Sequence, residues 1–136
     1  MISLLPGNRI RSAQVKRIFL VGVCAFLLTW QLAWADHFTA SWYSTKDSFQ
    51  LMANGQPLKD NNLTAASWDY KLGTRVRVTN LNNDRTVVVT ITDRGPAKRL
   101  YNKGRVIDLT MAAFGQLAAL QDGVIPVKIE LVSHAK

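Results

Sequence analysis

Two segments with the patterns of β-strands, Thr74 to Asn80 and Arg85 to Thr92, constrain the fold more than any other feature of this sequence. In the first segment, Val76 and Val78 alternate with polar residues, as in a strand that turns one face to a core. Turn-forming residues join it to the second segment, so the pair is predicted to form a β-hairpin. The run Val87-Val88-Val89 in the second segment lacks alternation, which indicates burial on both faces, as inside a closed barrel.

The elements around this hairpin are predicted from shorter patterns. Residues 38–44 mix β-branched and aromatic side chains and predict a first strand, and residues 124–132 predict a last one. Residues 110–120 place apolar side chains at helical spacing, with Asp108 or Thr110 as the expected N-cap. The chain is therefore predicted to be mainly β, with one short helix before the last strand.

Residues 1–35 have the pattern of a secretory signal peptide. They contain four cations and no acid, then the apolar run 18–28, then Ala33-Trp34-Ala35, which is a typical cleavage site. A membrane anchor that is retained is the alternative, but the apolar run is shorter than the roughly 20 residues that a span requires. We therefore expect export, cleavage after Ala35, no membrane anchor afterwards, and one domain at 36–136 that is periplasmic or lies outside the cell in a cell wall.

The charge of that domain is moderate. The whole chain has 17 basic and 9 acidic residues, and without the four cations of the predicted signal 13 basic residues face nine acidic ones, a net charge of +4. This charge does not predict a nucleic-acid partner, but it suits an anionic polymer such as a cell wall. The only cysteine, Cys24, lies in the predicted signal and follows Val23 rather than a small residue, so we expect neither lipidation there nor a disulfide or thiol mechanism.

Two aspartates form the one compact group of ionisable residues in the sequence. Asp93 ends the hairpin strand within Thr92-Asp93-Arg94-Gly95-Pro96, and Asp108 follows the apolar pair Val106-Ile107, with cations between them. Each aspartate also has a structural alternative, since Asp93 could cap the turn and Asp108 could begin the helix. With two histidines, no glycine-rich phosphate loop and no histidine close to Ser67 in sequence, we expect no metal, no cofactor and no serine triad.

Six segments, in their order and spacing, resemble the double-psi β-barrel of the rare lipoprotein A family. The resemblance extends from about Ala40 to Leu131. The segments are Ala40-Ser41-Trp42-Tyr43, Ala53-Asn54-Gly55, Leu63-Thr64-Ala65-Ala66, residues 72–81, Thr92-Asp93-Arg94-Gly95-Pro96 and Arg105-Val106-Ile107-Asp108-Leu109. The resemblance implies a six-stranded barrel and a lytic transglycosylase that cuts the glycan strands of peptidoglycan, preferably strands stripped of peptides.

The resemblance also implies roles for individual residues. Asp93 corresponds to the key acid of related barrels, with Asp108 and Arg94 as supporting residues. A single carboxyl can serve as acid and then as base, because the substrate's own C6 hydroxyl closes onto C1 and no water is activated. Asp93 must start protonated, which a neighbouring Asp108 would favour and an inward-pointing Arg94 would oppose. Two further groups of residues are candidates for glycan binding on chemical grounds. Asn54 and Gly55 could line a sugar groove or could be only a turn, and the flat rings of Trp42, Tyr43 and Trp68 could stack on sugars or could belong to the core.

Three positions depart from the family pattern. Gln56 and Ser67 occupy the positions of a supporting glutamate and histidine, and Met52 replaces a threonine. Neither Gln56 nor Ser67 can titrate. The sequence therefore leaves two further functions open: a noncatalytic, expansin-like module that binds glycan, and a secreted interaction protein that uses the barrel as a scaffold.

Overall fold

The computed structural model describes residues 38–47 and 51–136. The predicted signal peptide, its cleavage site and the membrane-anchor alternative lie outside these residues. Within them, no helix is long and apolar enough to cross a membrane.

Six strands close into a barrel, which confirms the predicted fold class. The strands are β1 (Thr39–Tyr43), β2 (Thr64–Ser67), β3 (Arg75–Asn80), β4 (Thr86–Asp93), β5 (Arg105–Thr110) and β6 (Val124–Ser133), and their order around the barrel is β1-β5-β2-β4-β3-β6. The pairs β1–β5 and β2–β4 are parallel, and the other four pairs are antiparallel. The parallel pairs bring strands together that are far apart in sequence.

The predicted hairpin is β3–β4, in which Val76 pairs with Val89 and Val78 pairs with Val87. These four valines all point into the core, where at most 4% of any of them is exposed. Val88, on the outer face of β4, is only half-buried. The expectation of burial on both faces was therefore wrong in part, because Val88 on the outer face keeps part of its surface exposed.

The predicted helix before the last strand is α2 (Met111–Leu117), and a 3₁₀ turn, Leu120–Asp122, follows it. Phe114 of α2 is fully buried in the barrel core. Thr110 is the N-cap, since its Oγ1 accepts the Ala113 N–H at 3.4 Å. Asp108 therefore does not begin the helix; it lies inside β5, because pairing with β1 and β2 extends that strand to Thr110. A single-turn helix, α1 (Lys98–Tyr101), was not predicted.

Candidate active site

Ala66 on β2 lies between the two candidate acids. It pairs with Asp93 on β4 and with Asp108 on β5. Because paired residues project to the same face and neighbouring strands lie about 4.8 Å apart, the two aspartate Cα atoms are roughly 10 Å apart on one face of the barrel. A Cβ added to Gly95 would lie 3.3 Å from the Ala66 Cβ and 3.7 Å from Asp108 Oδ2. Two small residues, Ala66 and Gly95, thus lie between the carboxyl groups, and we call this part of the barrel surface the groove.

Asp108 is held by a hydroxyl group from the parallel neighbouring strand. Its register partner on β1 is Ser41, whose Oγ–H donates a hydrogen bond to Asp108 Oδ1. Burial raises the pKa of the Asp108 carboxyl, while the Ser41 hydrogen bond and the positive charge of Arg105 act in the opposite direction. The net effect is a raised pKa, which favours the protonated form that a general acid requires.

Asp93 has a different environment. Its Oδ1 accepts the Ala53 N–H at 2.9 Å and the Arg94 N–H at 2.8 Å. The second bond is the turn contact that the sequence left open, and the first ties Asp93 to a loop 40 residues earlier in the chain. One oxygen of this carboxyl is therefore committed to two backbone amides.

The loop 51–57 presents that amide to Asp93. Gly55 has φ of +83°, in the left-handed region that glycine adopts without strain. Asn54 closes the turn, since its Oδ1 accepts the Gln56 N–H at 3.0 Å, and its own N–H donates to the Thr92 carbonyl at 3.1 Å. Asn54 and Gly55 thus form a turn beside the groove, and the Gln56 side chain is exposed on the same loop.

Tyr43 brings a phenol close to both carboxyl groups. Burial raises the pKa of this phenol, and the charges of Asp93 and Asp108 raise it further, so it stays protonated at neutral pH. Met52 is buried behind it, and its Sδ accepts hydrogen bonds from the hydroxyl groups of Thr92, at 3.3 Å, and Tyr43, at 4.0 Å. The methionine that replaces the family threonine therefore contacts the hydroxyl groups of Tyr43 and Thr92.

Within the described residues, the Arg94 guanidinium bonds backbone carbonyl oxygens and forms no ion pair with Asp93 or Asp108. Its Nη1 donates to the carbonyl oxygens of Ser67, at 2.8 Å, and Tyr70, at 2.6 Å. Ser67 is fully buried, and its Oγ accepts the Asp69 N–H at 3.1 Å. Arg94 and Ser67 therefore stabilise the turn at 67–70 rather than contributing charge or a proton to the groove.

We predict that Arg94→Met lowers the free energy of unfolding by about 1–3 kcal/mol, because two carbonyl oxygens lose a charged donor. Urea unfolding followed by tryptophan fluorescence would measure the change. Arg99→Met is the matched control, since Arg99 is exposed and has no side-chain hydrogen bond within the described residues. Equal stability of Arg94→Met and the control would contradict the assignment.

Trp42 does not join the groove. Its ring packs against the hydrophobic core, and its Nε1–H donates to the Leu120 carbonyl at 2.9 Å. Alternation along β1 puts Ser41 and Tyr43 on the groove face and Trp42 on the other. The core alternative is therefore right for Trp42.

Sequence reasoning missed Ser41 as a site residue, although its position two residues before Tyr43 on a predicted strand was the available signal.

No group of three histidine, cysteine or acidic side chains able to hold a metal ion occurs within residues 38–47 and 51–136.

Comparison with known proteins places the chain in a family. The model of the family described as lytic transglycolase matches residues 36–129. The probable endolytic peptidoglycan transglycosylase RlpA of Nostoc sp. is 44% identical over 97 residues, covering 70% of this chain and 25% of that protein. The endolytic peptidoglycan transglycosylase RlpA of Pseudomonas aeruginosa is 44% identical over 92 residues, covering 68% of this chain and 26% of that protein. The chain thus spans about a quarter of the length of these relatives.

Two solved structures share the fold. The Streptomyces papain inhibitor superposes with a TM-score of 0.56 at 24% identity, covering 71% of this chain and 93% of the inhibitor. An expansin of Clavibacter michiganensis superposes with a TM-score of 0.52 at 24% identity, covering 71% of this chain and 50% of the expansin. At this identity the likeness concerns the fold alone. The family match over most of the chain and the closed six-stranded barrel together show that this chain belongs to the RlpA-like double-psi β-barrel family of lytic transglycolases.

Proposed function

We propose that this domain is an exported endolytic lytic transglycosylase of peptidoglycan. It cleaves the bond between N-acetylmuramic acid and N-acetylglucosamine, prefers peptide-free strands, and leaves 1,6-anhydromuramyl ends. The relatives at 44% identity are named as enzymes of this class, which supports the substrate class. The observation that carries the proposal is the half-buried Asp108, with its raised pKa, across Ala66 from a second carboxyl group.

The two aspartates are suited to different steps. Sequence resemblance assigned the acid to Asp93, but one oxygen of Asp93 is occupied by two backbone amides. Asp108 has a single O–H donor on Oδ1, and within the described residues its Oδ2, which lies near Gly95, accepts no hydrogen bond. We therefore assign the first proton transfer to Asp108, and we keep Asp93 in the groove as the charged partner.

The reaction then needs one carboxyl group for both proton transfers. Asp108 donates its proton to the glycosidic oxygen as the bond to C1 breaks. Asp93 stabilises the positive charge that develops on the sugar ring. The C6 hydroxyl of the same sugar attacks C1, and the Asp108 carboxylate takes up its proton, which restores the starting state. The Tyr43 phenol keeps its proton during both proton transfers, because its pKa is raised, and it therefore remains a hydrogen-bond donor.

This assignment predicts the pH dependence of a Ser41→Ala variant. The protonated fraction of Asp108 falls as pH rises through its pKa, so kcat/KM declines on the alkaline side. The Ser41 hydrogen bond lowers that pKa, and its removal should raise the pKa and shift the alkaline limb to higher pH. A pH profile of kcat/KM measures the shift. Ser41→Thr keeps the hydroxyl group and should keep the wild-type limb, whereas an unshifted limb in Ser41→Ala would count against Asp108 as the acid.

A noncatalytic glycan-binding module is the second candidate. It is favoured by the residues at the positions of the family glutamate and histidine, because Gln56 is exposed and cannot titrate and Ser67 is buried in the turn at 67–70. Under this alternative the same groove binds strands without cleaving them.

Product analysis separates the two candidates. The purified protein, without its predicted signal, is incubated with peptide-free glycan strands, and the products are searched by mass spectrometry for 1,6-anhydromuramyl ends. The proposal predicts such ends. Intact strands at high protein concentration, together with retention of the protein on the same strands in a pull-down, would replace the proposal by the second candidate.

A further inference from the structure

A surface pocket of about 600 Å³ is lined by residues of α1, the turn after it and the start of β5. We name it the 101–106 pocket after the segment that supplies most of its lining, and Phe38 and Asp69 also line it. Val106 precedes Asp108 by two residues on β5, about 7 Å along the strand. Asp69 follows Ala66 by three residues, just past the end of β2, which pairs antiparallel with β5. The pocket and the carboxyl groups are thus neighbours along the same two strands.

Aromatic rings and a carboxylate shape this pocket. Phe38 is 49% exposed, so a face of its ring is open to a ligand. The Tyr101 hydroxyl group donates a hydrogen bond to Asp69 Oδ1, which fixes the position of its ring and raises the pKa of its phenol. The second Asp69 oxygen is available to accept hydroxyl groups. Flat apolar rings beside hydrogen-bond acceptors suit a pyranose sugar.

The same segment is strongly basic. Residues 98–105 include Lys98, Arg99, Lys103 and Arg105 and no acidic residue. Lys98 is engaged, since its Nζ lies 3.8 Å from the centre of the Trp68 ring. The one ion pair within residues 38–47 and 51–136 is Lys128–Glu130, so Lys103, which lines the pocket, has no carboxylate partner in that part of the chain. An unpaired ammonium group beside open rings fits a sugar that carries a carboxylate.

We propose that the 101–106 pocket is an accessory subsite for an acidic sugar of the glycan strand, with Lys103 bound to the lactyl carboxylate of N-acetylmuramic acid. This inference rests on the proposed function. In peptide-bearing strands that carboxylate is consumed in an amide bond, whereas in peptide-free strands it is charged. The subsite therefore selects peptide-free regions, because only there does Lys103 meet an anion.

A binding experiment tests the subsite separately from catalysis. Isothermal titration calorimetry compares peptide-free strands with the same strands after conversion of their lactyl carboxylates to methylamides, using protein that carries Asp108→Asn to prevent cleavage. We expect the charged strands to bind about two- to fivefold more tightly, since a solvent-exposed ion pair contributes no more than about 1 kcal/mol. Lys103→Glu should abolish this preference. Arg85→Glu makes the same charge change at the β3–β4 turn, roughly 26 Å along β4 from Asp93, and should retain it.

Equal binding of charged and amidated strands would overturn the subsite, and so would an equal loss of affinity in Lys103→Glu and Arg85→Glu. The experiments distinguish failure of the subsite proposal from failure of the proposed reaction. If both kinds of strand bind equally and wild-type protein still yields anhydro ends, the reaction stands and the subsite is wrong. If binding depends on the carboxylate and on Lys103 but no anhydro ends form, the subsite stands and the proposed reaction is wrong.

Discussion

Asp108→Asn is expected to lower the rate of glycan cleavage by about 10³-fold, because it removes the proton that the leaving oxygen requires. The fold should persist, since asparagine has nearly the same shape and its Oδ1 can still accept the Ser41 hydroxyl group. The initial rate of anhydro-end formation, measured at several substrate concentrations, separates this loss from weaker binding.

Two further variants complete this comparison. Asp93→Asn keeps an oxygen for the Ala53 and Arg94 amides and retains the groove, so we expect a smaller loss, of about tenfold. Asp84→Asn makes the same chemical change at the β3–β4 turn, where asparagine tolerates the φ of +61°, and should have no effect. If Asp93→Asn abolishes cleavage while Asp108→Asn leaves it measurable, the acid is Asp93, as the sequence resemblance implied.

Phe114→Ala is expected to lower the free energy of unfolding by about 3–5 kcal/mol. Phe114 is fully buried, and α2 packs against β1, β4 and β5, so the truncated side chain leaves a cavity inside the barrel. This loss is a large part of the roughly 5–15 kcal/mol that keeps a domain folded. Urea unfolding followed by tryptophan fluorescence measures the change.

Gln116→Ala is the matched control for Phe114→Ala, because Gln116 lies on the same helix and is exposed. Its stability should remain within about 0.5 kcal/mol of the wild-type value. A loss below about 1 kcal/mol for Phe114→Ala would contradict the packing of α2 into the barrel core.

The elements that sequence predicted are those encoded by local patterns. The hairpin β3–β4 follows from the alternation of Val76 and Val78 and from the turn after them, and α2 follows from apolar residues at helical spacing. The position of Asp108 was predicted less well. The short apolar pair before it suggested a strand end, but pairing with β1 and β2 continues the strand through Asp108 to Thr110.

The site depends on contacts that a local pattern does not encode. Ser41 and Asp108 are 67 residues apart in sequence and meet because β1 and β5 pair in parallel. The direction of Arg94 depends in the same way on carbonyl oxygens of the turn at 67–70. The flat ring of Trp42 could stack on a sugar. Only the face of β1 on which Trp42 lies shows that the ring packs against the core instead. Residue types could therefore suggest the two acids, but not the partners that distinguish them.

The most direct test of cleavage by one barrel carboxyl group is digestion of peptide-free strands in water labelled with heavy oxygen. If the C6 hydroxyl of the substrate is the nucleophile, the products carry 1,6-anhydromuramyl ends with no label, and mass spectrometry detects ends lighter by one water than those of hydrolysis. Reducing ends that carry heavy oxygen would identify hydrolysis, and uncut strands at high protein concentration would identify a binding module. Either result would contradict the account.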